Sequence, residues 1–519
     1  MPLAFRRRFA VWLLLPLLLA GGCASTLPTV PRTPTQALTD TGDTFLGKAA
    51  ATLRAPYPGL SGFHAFDQPH DAFAARMLLA GMAERAIDAQ YFIWNGDAVG
   101  TLLWSVLWQA AERGVRVRLL LDDANTSELD PLLAALDAHP RIELRLYNPF
   151  VDRGSRALGY ATDFGRLNHR MHNKSFTVDN QVSVVGGRNI ANEYFGAAEA
   201  LGFADLDVMA IGPVVQQVSD QFDLYWNSAS AYPAAAFVGT GGAAAEAALK
   251  ARFAAVDADP RAQRYVEVVQ SSAFVDKLLT RSVEIEWTTG QVLFDDPAKT
   301  LDGGIDDKRL LLPVLTQRLG SPLHSLDIVS PYFVPGAEGT AMLAELARQG
   351  VRVRVLTNSL ASSDESVVHA GYMKRRHDLL RAGVELYEMK PGAADGSLRV
   401  RGRVGPAKVS GLHAKTYAVD GKRAFVGSFN FDQRSARLNT EMGLVIDSPA
   451  FAREVGQIFE DSPQEFAYRV RIAPDGENLQ WLDHQASGKV VVHAVDPETT
   501  VWKRMQVGFL AGLPIDWLL

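Results

Sequence analysis

Cysteine and surplus positive charge are both scarce in this sequence. Cys23 is the single cysteine among 519 residues, so a disulfide within the chain is excluded. The formal net charge is -6, which counts against a nucleic-acid enzyme because such enzymes usually present a basic surface. A local basic groove would still be compatible with this total. Nucleic acid is therefore an unlikely partner, and the length predicts two domains with accessory segments.

The chain also lacks a long apolar run at its N-terminus. Residues 9–20 are apolar but too short to cross a bilayer comfortably, and three arginines precede them. This anatomy is typical of an export signal. Small residues directly before Cys23 resemble a bacterial lipobox, although Ala20 stands where leucine is usual. The sequence thus predicts an exported protein, lipid-anchored through Cys23 on the periplasmic side of a bacterial envelope; an ordinary secretory signal is the alternative.

Two parts of the chain repeat each other. Residues 113–120 read RGVRVRLL and residues 349–356 read QGVRVRVL. A helical stretch precedes each, and another apolar strand precedes each helix, so strand, helix and strand occur twice. The pattern predicts an α/β protein with two similar lobes. The predicted divisions are a signal (1–23), a Pro- and Thr-rich tether (24–44), lobe one (45–235), a helical connecting insertion (236–299), lobe two (300–470) and a tail (471–519) whose apolar end either contacts a membrane or packs on the core.

A second pair of matching segments carries the chemistry. The first copy reads H-N-K-S-F-T-V-D from His172 and the second reads H-A-K-T-Y-A-V-D from His413. A glycine-led turn follows each copy at the same spacing and ends in Asn189 or Asn430. One such motif arises easily by accident, but two complete copies do not.

H-x-K-x-x-x-x-D followed by G-[GS]-x-N resembles the signature of the phospholipase D superfamily. Further segments are similar to its bacterial cardiolipin synthase C-type branch, and the resemblance covers the chain from about Gly62 onward. It implies two α-β-α sandwich lobes related by a pseudo-two-fold axis. It also implies phosphatidyl transfer that makes cardiolipin from phosphatidylglycerol, with phosphatidylethanolamine as a possible phosphatidyl donor. The segments are 91–94 (YFIW), 330–336 (SPYFVPG), 358–360 (NSL) and 369–372 (HAGY).

The motif residues suit cleavage of a phosphodiester in two steps. One imidazole can attack phosphorus while a second protonates the departing oxygen and later deprotonates the acceptor. Resemblance to the superfamily makes His172 the nucleophile and His413 the acid and base, whereas the sequence itself is symmetric and leaves the reverse assignment open. Lys174 and Lys415 lie on the same strand face as their histidines and can neutralise the phosphate, so no metal and no cofactor are expected. The asparagines at 189 and 430 would add neutral donors.

Each imidazole also needs a carboxylate to fix its tautomer. In the family such carboxylates act across the lobe interface, which pairs Glu441 with His172. The same reasoning pairs Asp207 with His413, with Asp205 as the competitor. The motif aspartates, Asp179 and Asp420, are predicted to stabilise the strand-to-turn region, with direct catalysis as the alternative.

Several other residues have a structural and a functional interpretation. His169 could form a metal pair with His172, but a surface role is favoured because no zinc-type spacing accompanies it. His369 and Tyr372 either line the groove or pack. Asp122 and its neighbour Asp123, which follow a predicted strand, could be functional, but we favour a role in a turn or as a helix cap. Core packing is favoured for Tyr91 and Trp94.

Three functions compete. A lipid transferase uses a headgroup hydroxyl as acceptor, whereas a hydrolase, either phospholipase or nuclease, uses water. The groove would separate them: apolar for acyl chains, basic and aromatic for nucleic acid. The lipid-anchor signal favours membrane phospholipids as partners. A scaffold without activity is disfavoured because both motif copies are intact.

Overall fold

The computed structural model describes residues 27–198, 202–301, 306–392, 409–460, 463–485, 487–514 and 518–519. Its helices are α1 (Phe45–Arg54), α2 (Pro69–Met82), α3 (Ala98–Glu112), α4 (Asp130–Asp137), α5 (Arg156–Thr162), α6 (Phe164–Leu167), α7 (Pro213–Trp226), α8 (Ala235–Val238), α9 (Ala243–Ala258), α10 (Pro260–Gln270), α11 (Ala273–Leu279), α12 (Leu311–Leu319), α13 (Gly336–Arg348), α14 (Ser366–Met373), α15 (Arg376–Arg381), α16 (Gln433–Arg437), α17 (Pro449–Gln457), α18 (Pro463–Phe466) and α19 (Val501–Ala511).

The strands alternate with these helices along the chain. They are β1 (Ser61–Phe66), β2 (Ala86–Tyr91), β3 (Arg116–Asp122), β4 (Ile142–Tyr147), β5 (Ser175–Val178), β6 (Val182–Gly186), β7 (Gly202–Ala204), β8 (Asp207–Ile211), β9 (Ala231–Pro233), β10 (Glu286–Thr288), β11 (Gly290–Phe294), β12 (Ser325–Val329), β13 (Arg352–Asn358), β14 (Glu385–Met389), β15 (Val409–Leu412), β16 (Lys415–Val419), β17 (Arg423–Gly427), β18 (Met442–Ile446), β19 (Ala467–Ile472), β20 (Leu479–His484) and β21 (Val490–His493).

Two large sheets carry the duplication. The sheet of lobe one has the order β10-β1-β8-β6-β5-β2-β3-β4-β9, and the sheet of lobe two has the order β11-β18-β17-β16-β12-β13-β14-β19-β20-β21. Strands β2, β3 and β4 pair in parallel, as do β12, β13 and β14 at the matching place. The remaining neighbours in both sheets are antiparallel. The predicted pair of similar α/β lobes is thus confirmed.

The repeated R-V-R segments have the same buried partner in both lobes. The guanidinium of Arg118 on β3 donates to both carboxylate oxygens of Asp88 on β2, at 2.7 and 2.8 Å. In lobe two, Arg354 on β13 contacts Asp327 on β12 at 2.6 and 2.8 Å. Bidentate pairing satisfies a charge that would be costly to bury alone. The duplication therefore extends to the ion pairs between the parallel strands.

A helix that ends at glycine leads into each of these strands. Gly114 after α3 has φ 95° and Gly350 after α13 has φ 89°. Glycine adopts this left-handed backbone without the steric cost of a Cβ atom, so it can end the helix and reverse the chain. The apolar strand that follows completes the predicted strand, helix and strand, and the structure shows that it pairs in parallel with the strand before the helix.

The N-terminal segment differs from the predicted tether. Arg32 donates to the carbonyl of Ala229 at 2.6 Å, and its guanidinium lies 3.7 Å from the ring centroid of Tyr232. The hydroxyl of Thr35 accepts from the indole of Trp226 at 2.9 Å. The composition-based prediction of a loose linker therefore does not describe this stretch, which lies along lobe one as a strap. The predicted signal and Cys23 lie outside the described residues.

The segments between and after the lobes also belong to the sheets. The predicted helical insertion contains α9, α10 and α11, but its end supplies β10 to the first sheet and β11 to the second. The tail adds β20 and β21 to the sheet of lobe two and ends in α19. Within the described part of the chain, no helix combines the length and the apolarity needed to cross a membrane.

The lobes meet through a shared apolar cluster and through backbone pairing. Val185 and Val208 of lobe one pack in one cluster with Val426 and Leu444 of lobe two. Strand β7 of lobe one pairs in parallel with β15 of lobe two. These contacts form a seam between the lobes, and the histidine motifs lie along it.

Candidate active site

Each motif histidine is held by the opposite lobe. The backbone N–H of His172 donates to the carbonyl of Thr440 at 2.8 Å, and that of His413 donates to the carbonyl of Ala204 at 2.7 Å. The two histidines are only 7% and 5% exposed. In both cases the accepting carbonyl belongs to the residue directly before a carboxylate, Glu441 or Asp205. The seam therefore delivers one acidic side chain to each imidazole.

Those carboxylates contact the same nitrogen of each ring. Nδ1 of His172 lies 2.8 Å from Oε2 of Glu441, and Nδ1 of His413 lies 2.6 Å from Oδ2 of Asp205. A carboxylate at Nδ1 favours the tautomer that keeps the proton there and leaves Nε2 free as a base or nucleophile. The predicted contact between Glu441 and His172 across the lobes is present.

The predicted pairing of Asp207 with His413 is wrong. Asp207 instead accepts from the guanidinium of Arg76 at 2.8 Å and lies 3.6 Å from Arg188. Two buried arginines need this carboxylate to offset their charge, since an unpaired buried charge is costly. Asp205 contacts His413 in its place because Asp205 directly follows Ala204, the residue whose carbonyl accepts from the backbone of His413.

Two buried lysines lie beside the histidines. Nζ of Lys174 donates to the carbonyl of His172 at 2.6 Å, and Nζ of Lys415 lies 2.8 Å from Nδ1 of His413. Burial lowers the pKa of Lys415 to about 8 and that of Lys174 well below its ordinary value. The site thus contains two desolvated lysine side chains, and each attracts a phosphate, when charged, more strongly than a solvated lysine does.

The electrostatics of the two histidine pairs differ. Burial works to raise the pKa of Asp205, but His413 and Lys415 outweigh it and lower that pKa to about 2. Burial raises the pKa of Glu441 to about 7, against the opposing effect of Lys174. The carboxylate beside His413 is therefore fully ionised at neutral pH, whereas the one beside His172 is only partly so.

Both imidazoles are held neutral in the free site. Burial, reinforced by the nearby lysines, lowers the pKa of His172 well below its ordinary value. Burial and Lys415 lower the pKa of His413 to about 4, although Asp205 works in the opposite direction. A neutral imidazole is the form that can attack phosphorus. Asp205, which is fully ionised, stabilises an imidazolium that forms during the reaction better than the partly ionised Glu441 does.

The two predicted asparagines lie at the seam with unused hydrogen-bonding capacity. Oδ1 of Asn189 accepts from the backbone N–H of Ile93 at 3.2 Å. Its Nδ2 atom, and Oδ1 of Asn430, are buried and make no hydrogen bond to any residue that the structure describes. Unpaired buried polar atoms are uncommon. The unpaired donor Nδ2 of Asn189 is consistent with an oxygen-rich ligand at this place, whereas Oδ1 of Asn430 is an acceptor and requires a donor.

The motif aspartates do not reach the histidines. Asp179 accepts from the backbone N–H groups of residues 84–86, and Asp420 accepts from those of residues 323–325. Both have positive φ, 51° and 53°, just past the far end of the strand that follows each histidine. Direct catalysis by these residues is therefore contradicted, because each one fixes the start of a neighbouring strand.

Four residues at the site escape the sequence reasoning. The ring of Phe92 lies 5.0 Å from that of His172, and the rings of Tyr194 and Phe203 lie 4.9 and 5.4 Å from that of His413. The hydroxyl of Ser428 donates to Glu441. Ser428 in lobe two occupies the position that Gly187 occupies in lobe one. A Cβ atom on Gly187 would lie only 2.1 Å from Oδ1 of Asp205. This difference between the two turn motifs was the signal that could have identified Ser428.

The other candidates pack or form caps. Tyr91 and Trp94 are fully buried in the core of lobe one. His369 lies in a buried ion network around Arg376. Asp122 caps a short 3-10 turn and forms an ion pair with Arg170. Its neighbour Asp123 forms an ion pair with Arg153. Nδ1 of His169 lies 3.0 Å from the carbonyl oxygen of Leu438. No cluster of three or more metal-ligating side chains is found among the residues that can be described.

Comparison with known proteins agrees with this geometry. A family model described as "Cardiolipin synthase, PLD-like domain" matches residues 79–226 and 315–462. The chain is 47% identical to cardiolipin synthase C of Escherichia coli, over 91% of this chain and 99% of that protein. It is 27% identical to cardiolipin synthase A of Pseudomonas aeruginosa, over 82% of this chain and 71% of that protein.

A solved structure shares the fold at low sequence identity. The phosphatidylserine synthase of Haemophilus influenzae superposes with a TM-score of 0.53 and 13% identity, covering 81% of this chain and 91% of that one. Two matched repeats and a similar two-lobed fold therefore accompany the two histidine motifs.

Proposed function

Because this chain belongs to the cardiolipin synthase family of the phospholipase D superfamily, we propose that it makes cardiolipin from phosphatidylglycerol through a phosphatidyl-histidine intermediate. The chain is a phosphatidyltransferase of this superfamily, and its substrates are membrane phospholipids. The observation that carries the proposed mechanism is the pair of cross-lobe contacts, His172 with Glu441 and His413 with Asp205, around two buried lysines.

In the first step His172 attacks the phosphorus of one phosphatidylglycerol. The bond from phosphorus to the glycerol headgroup breaks. His413, which gains a proton when the anionic phosphate binds, gives that proton to the departing glycerol oxygen. Lys174 and Lys415 neutralise the charge that develops on the phosphate oxygens, and the amides of Asn189 and Asn430 donate to the same oxygens.

In the second step a hydroxyl of another phosphatidylglycerol is the acceptor. His413, now neutral, removes its proton, and the resulting oxygen attacks the phosphatidyl group on His172. The nitrogen–phosphorus bond breaks, cardiolipin is formed and both histidines return to their starting state. With phosphatidylethanolamine as the donor, the same steps would release ethanolamine in place of glycerol.

The charges of the two carboxylates support this division of roles. An acid and base must pass through its imidazolium form, which the ionised Asp205 stabilises beside His413. A nucleophile must start neutral, and Glu441 has a weaker hold on positive charge because its pKa is raised to about 7. The assignment of His172 as nucleophile thus has support from the site as well as from the resemblance.

The test is to give the purified protein phosphatidylglycerol with and without phosphatidylethanolamine and to resolve the products by mass spectrometry. Cardiolipin is expected with the intact protein and not with His172→Ala. The matched control is His324→Ala, which removes an exposed imidazole at the opposite end of lobe two. A dependence on phosphatidylethanolamine would identify the donor. Phosphatidic acid without cardiolipin would instead mean that water is the acceptor.

Export and lipidation of Cys23 complete the proposal. The strap is held to lobe one by a hydrogen bond of Arg32, nine positions after Cys23. A segment of this length spans about 30 Å at most. Acyl chains on Cys23 would keep the catalytic body beside the bilayer. Mass spectrometry of the N-terminal peptide is expected to show acyl groups on Cys23 in the unaltered protein and none in Cys23→Ser. A Cys23 that carries no acyl group in the unaltered protein would contradict lipidation.

A further inference from the structure

An apolar face of α19 is exposed although the helix is firmly attached. Trp502, Met505 and Phe509 are 74%, 61% and 71% exposed. Their spacing of three and four residues places them on one side of the helix. Val507, on the other side, is buried against Leu360. The fold thus orients this apolar face toward the solvent.

Both ends of α19 are fixed. The hydroxyl of Thr500 accepts from the backbone N–H of Lys503 at 3.1 Å and caps the first turn. Just after the last turn, Nζ of Lys374 donates to the carbonyl of Leu513 at 3.0 Å. The exposed rings therefore belong to an ordered helix and not to a frayed end.

The C-terminal end of the chain connects this helix to the catalytic seam. The carbonyls of Leu518 and Leu519 accept from Arg434 at 3.0 and 2.8 Å. The guanidinium of Arg434 also donates to the side chain of Asn168 in lobe one at 2.7 Å. Asn168 lies four residues before His172, so Leu518 and Leu519, which follow α19 in the sequence, are joined through Arg434 to the edge of the active site.

A second apolar surface reaches the same point from lobe one. Helix α5 is followed by α6, which ends at Leu167 directly before Asn168. The two helices expose Leu158 (55%), Tyr160 (36%) and Phe164 (43%). Large apolar side chains that are exposed together on a soluble surface usually mark an interaction site. The six exposed side chains are called the apolar rim below: Leu158, Tyr160, Phe164, Trp502, Met505 and Phe509.

We propose that the apolar rim docks on the surface of a phospholipid bilayer, with the catalytic seam facing the lipid. This inference rests on the proposed function, because a lipid with two acyl chains is too apolar to leave the bilayer readily and the site must come to it. Aromatic and aliphatic side chains with basic neighbours are typical of an interfacial helix, and Lys503 and Arg504 follow Trp502 directly. Charge complementarity to anionic lipid therefore favours a bilayer over a second copy of this chain as the occupant.

Hydrogen exchange of the full chain tests docking independently of catalysis. The backbone amides of residues 501–511 and 156–167 are expected to exchange hydrogen more slowly when phosphatidylglycerol vesicles are present. The reference condition is detergent-free buffer that contains short-chain, monomeric phosphatidylglycerol. The readout is local, so it does not depend on whether the N-terminus also binds the vesicles. Unchanged exchange in both segments would overturn the proposal.

Kinetics then link docking to turnover. The double variants Trp502→Glu/Phe509→Glu and Leu158→Glu/Phe164→Glu are each expected to lose about tenfold or more of the rate on vesicles. Their rate on the short-chain substrate should stay near that of the unaltered protein. The matched control is Leu323→Glu, since Leu323 is 70% exposed at the opposite end of lobe two.

The outcomes distinguish the two proposals. Equal loss on both substrates would mean that the rim supports the site and not the membrane contact, which overturns the inference. Full vesicle activity in both double variants would overturn it as well. An unaltered protein that makes no cardiolipin from either substrate, yet shows the exchange protection, would refute the proposed function and leave docking supported.

Discussion

Asp205 contacts Nδ1 of His413 at 2.6 Å across the lobe interface, although the two residues are 208 positions apart in the chain. Asp207, two residues later, lies in a different environment with Arg76 and Arg188. The same short segment of lobe one therefore contributes one carboxylate to the histidine site and one to a buried ion-pair cluster with two arginines. Substitutions at the two positions should have different consequences.

Asp205→Asn is expected to lower kcat by about a hundredfold or more, because the amide cannot stabilise an imidazolium and favours the wrong tautomer. The overall fold should be kept, since the side chain has nearly the same shape. Single-turnover release of the headgroup measures the effect, with Asp220→Asn on the exposed face of α7 as control. An unchanged kcat would mean that Asp205 does not orient His413.

Asp207→Ala is expected to act mainly on stability. It leaves Arg76 and Arg188 buried without their carboxylate, which costs about 3–5 kcal/mol in the free energy of unfolding. Urea unfolding followed by circular dichroism measures this cost. The double variant Arg76→Met/Asp207→Leu should recover part of the lost free energy of unfolding, because it removes one of the two unpaired charges. A stable Asp207→Ala protein with low kcat would instead place Asp207 in catalysis.

His413→Ala is expected to trap the intermediate when the leaving group needs no proton. With a p-nitrophenyl phosphatidyl ester, His172 can still displace the nitrophenolate, but the missing base slows the second step. Mass spectrometry of alkaline-quenched protein should locate the phosphatidyl group on His172. Recovery of the group on His413 in the His172→Ala protein, with none on His172 in this one, would reverse the roles.

The pH profile of kcat/KM should fall above about pH 8. The ammonium of Lys415 neutralises the phosphate, and burial lowers its pKa to about 8. The charged form is therefore lost as the pH rises through this value, well before an exposed lysine would lose its proton. Lys415→Arg should move the falling limb to higher pH, because arginine keeps its charge. A limb that does not move would assign the alkaline loss to another group.

The duplicated architecture and the two histidine motifs are readable from sequence because their signals are local. The apolar strands, the helices that end at glycine and the two histidine motifs each lie within a few consecutive residues. The choice between Asp205 and Asp207 was not readable. It depends on the pairing of β7 with β15, two strands that are distant in the chain.

The strap shows a second limit. A segment rich in proline and threonine is typical of a linker, and nothing in its composition reveals a binding surface. The structure shows that the carbonyls of Thr33 and Thr35 accept from the buried guanidinium groups of Arg145 and Arg118, at 2.6 and 3.0 Å. The position of this segment is thus determined by buried arginines of lobe one, which need hydrogen-bond acceptors, and not by the local conformational preferences of the segment itself.

The backbone bonds that tie each histidine to the opposite lobe make each half of the duplication depend on the other. Without lobe two, His172 has neither the carbonyl of Thr440 nor the carboxylate of Glu441. Without lobe one, His413 has neither the carbonyl of Ala204 nor the carboxylate of Asp205. Two separate copies of one lobe therefore cannot replace the joined pair, although the lobes share a fold.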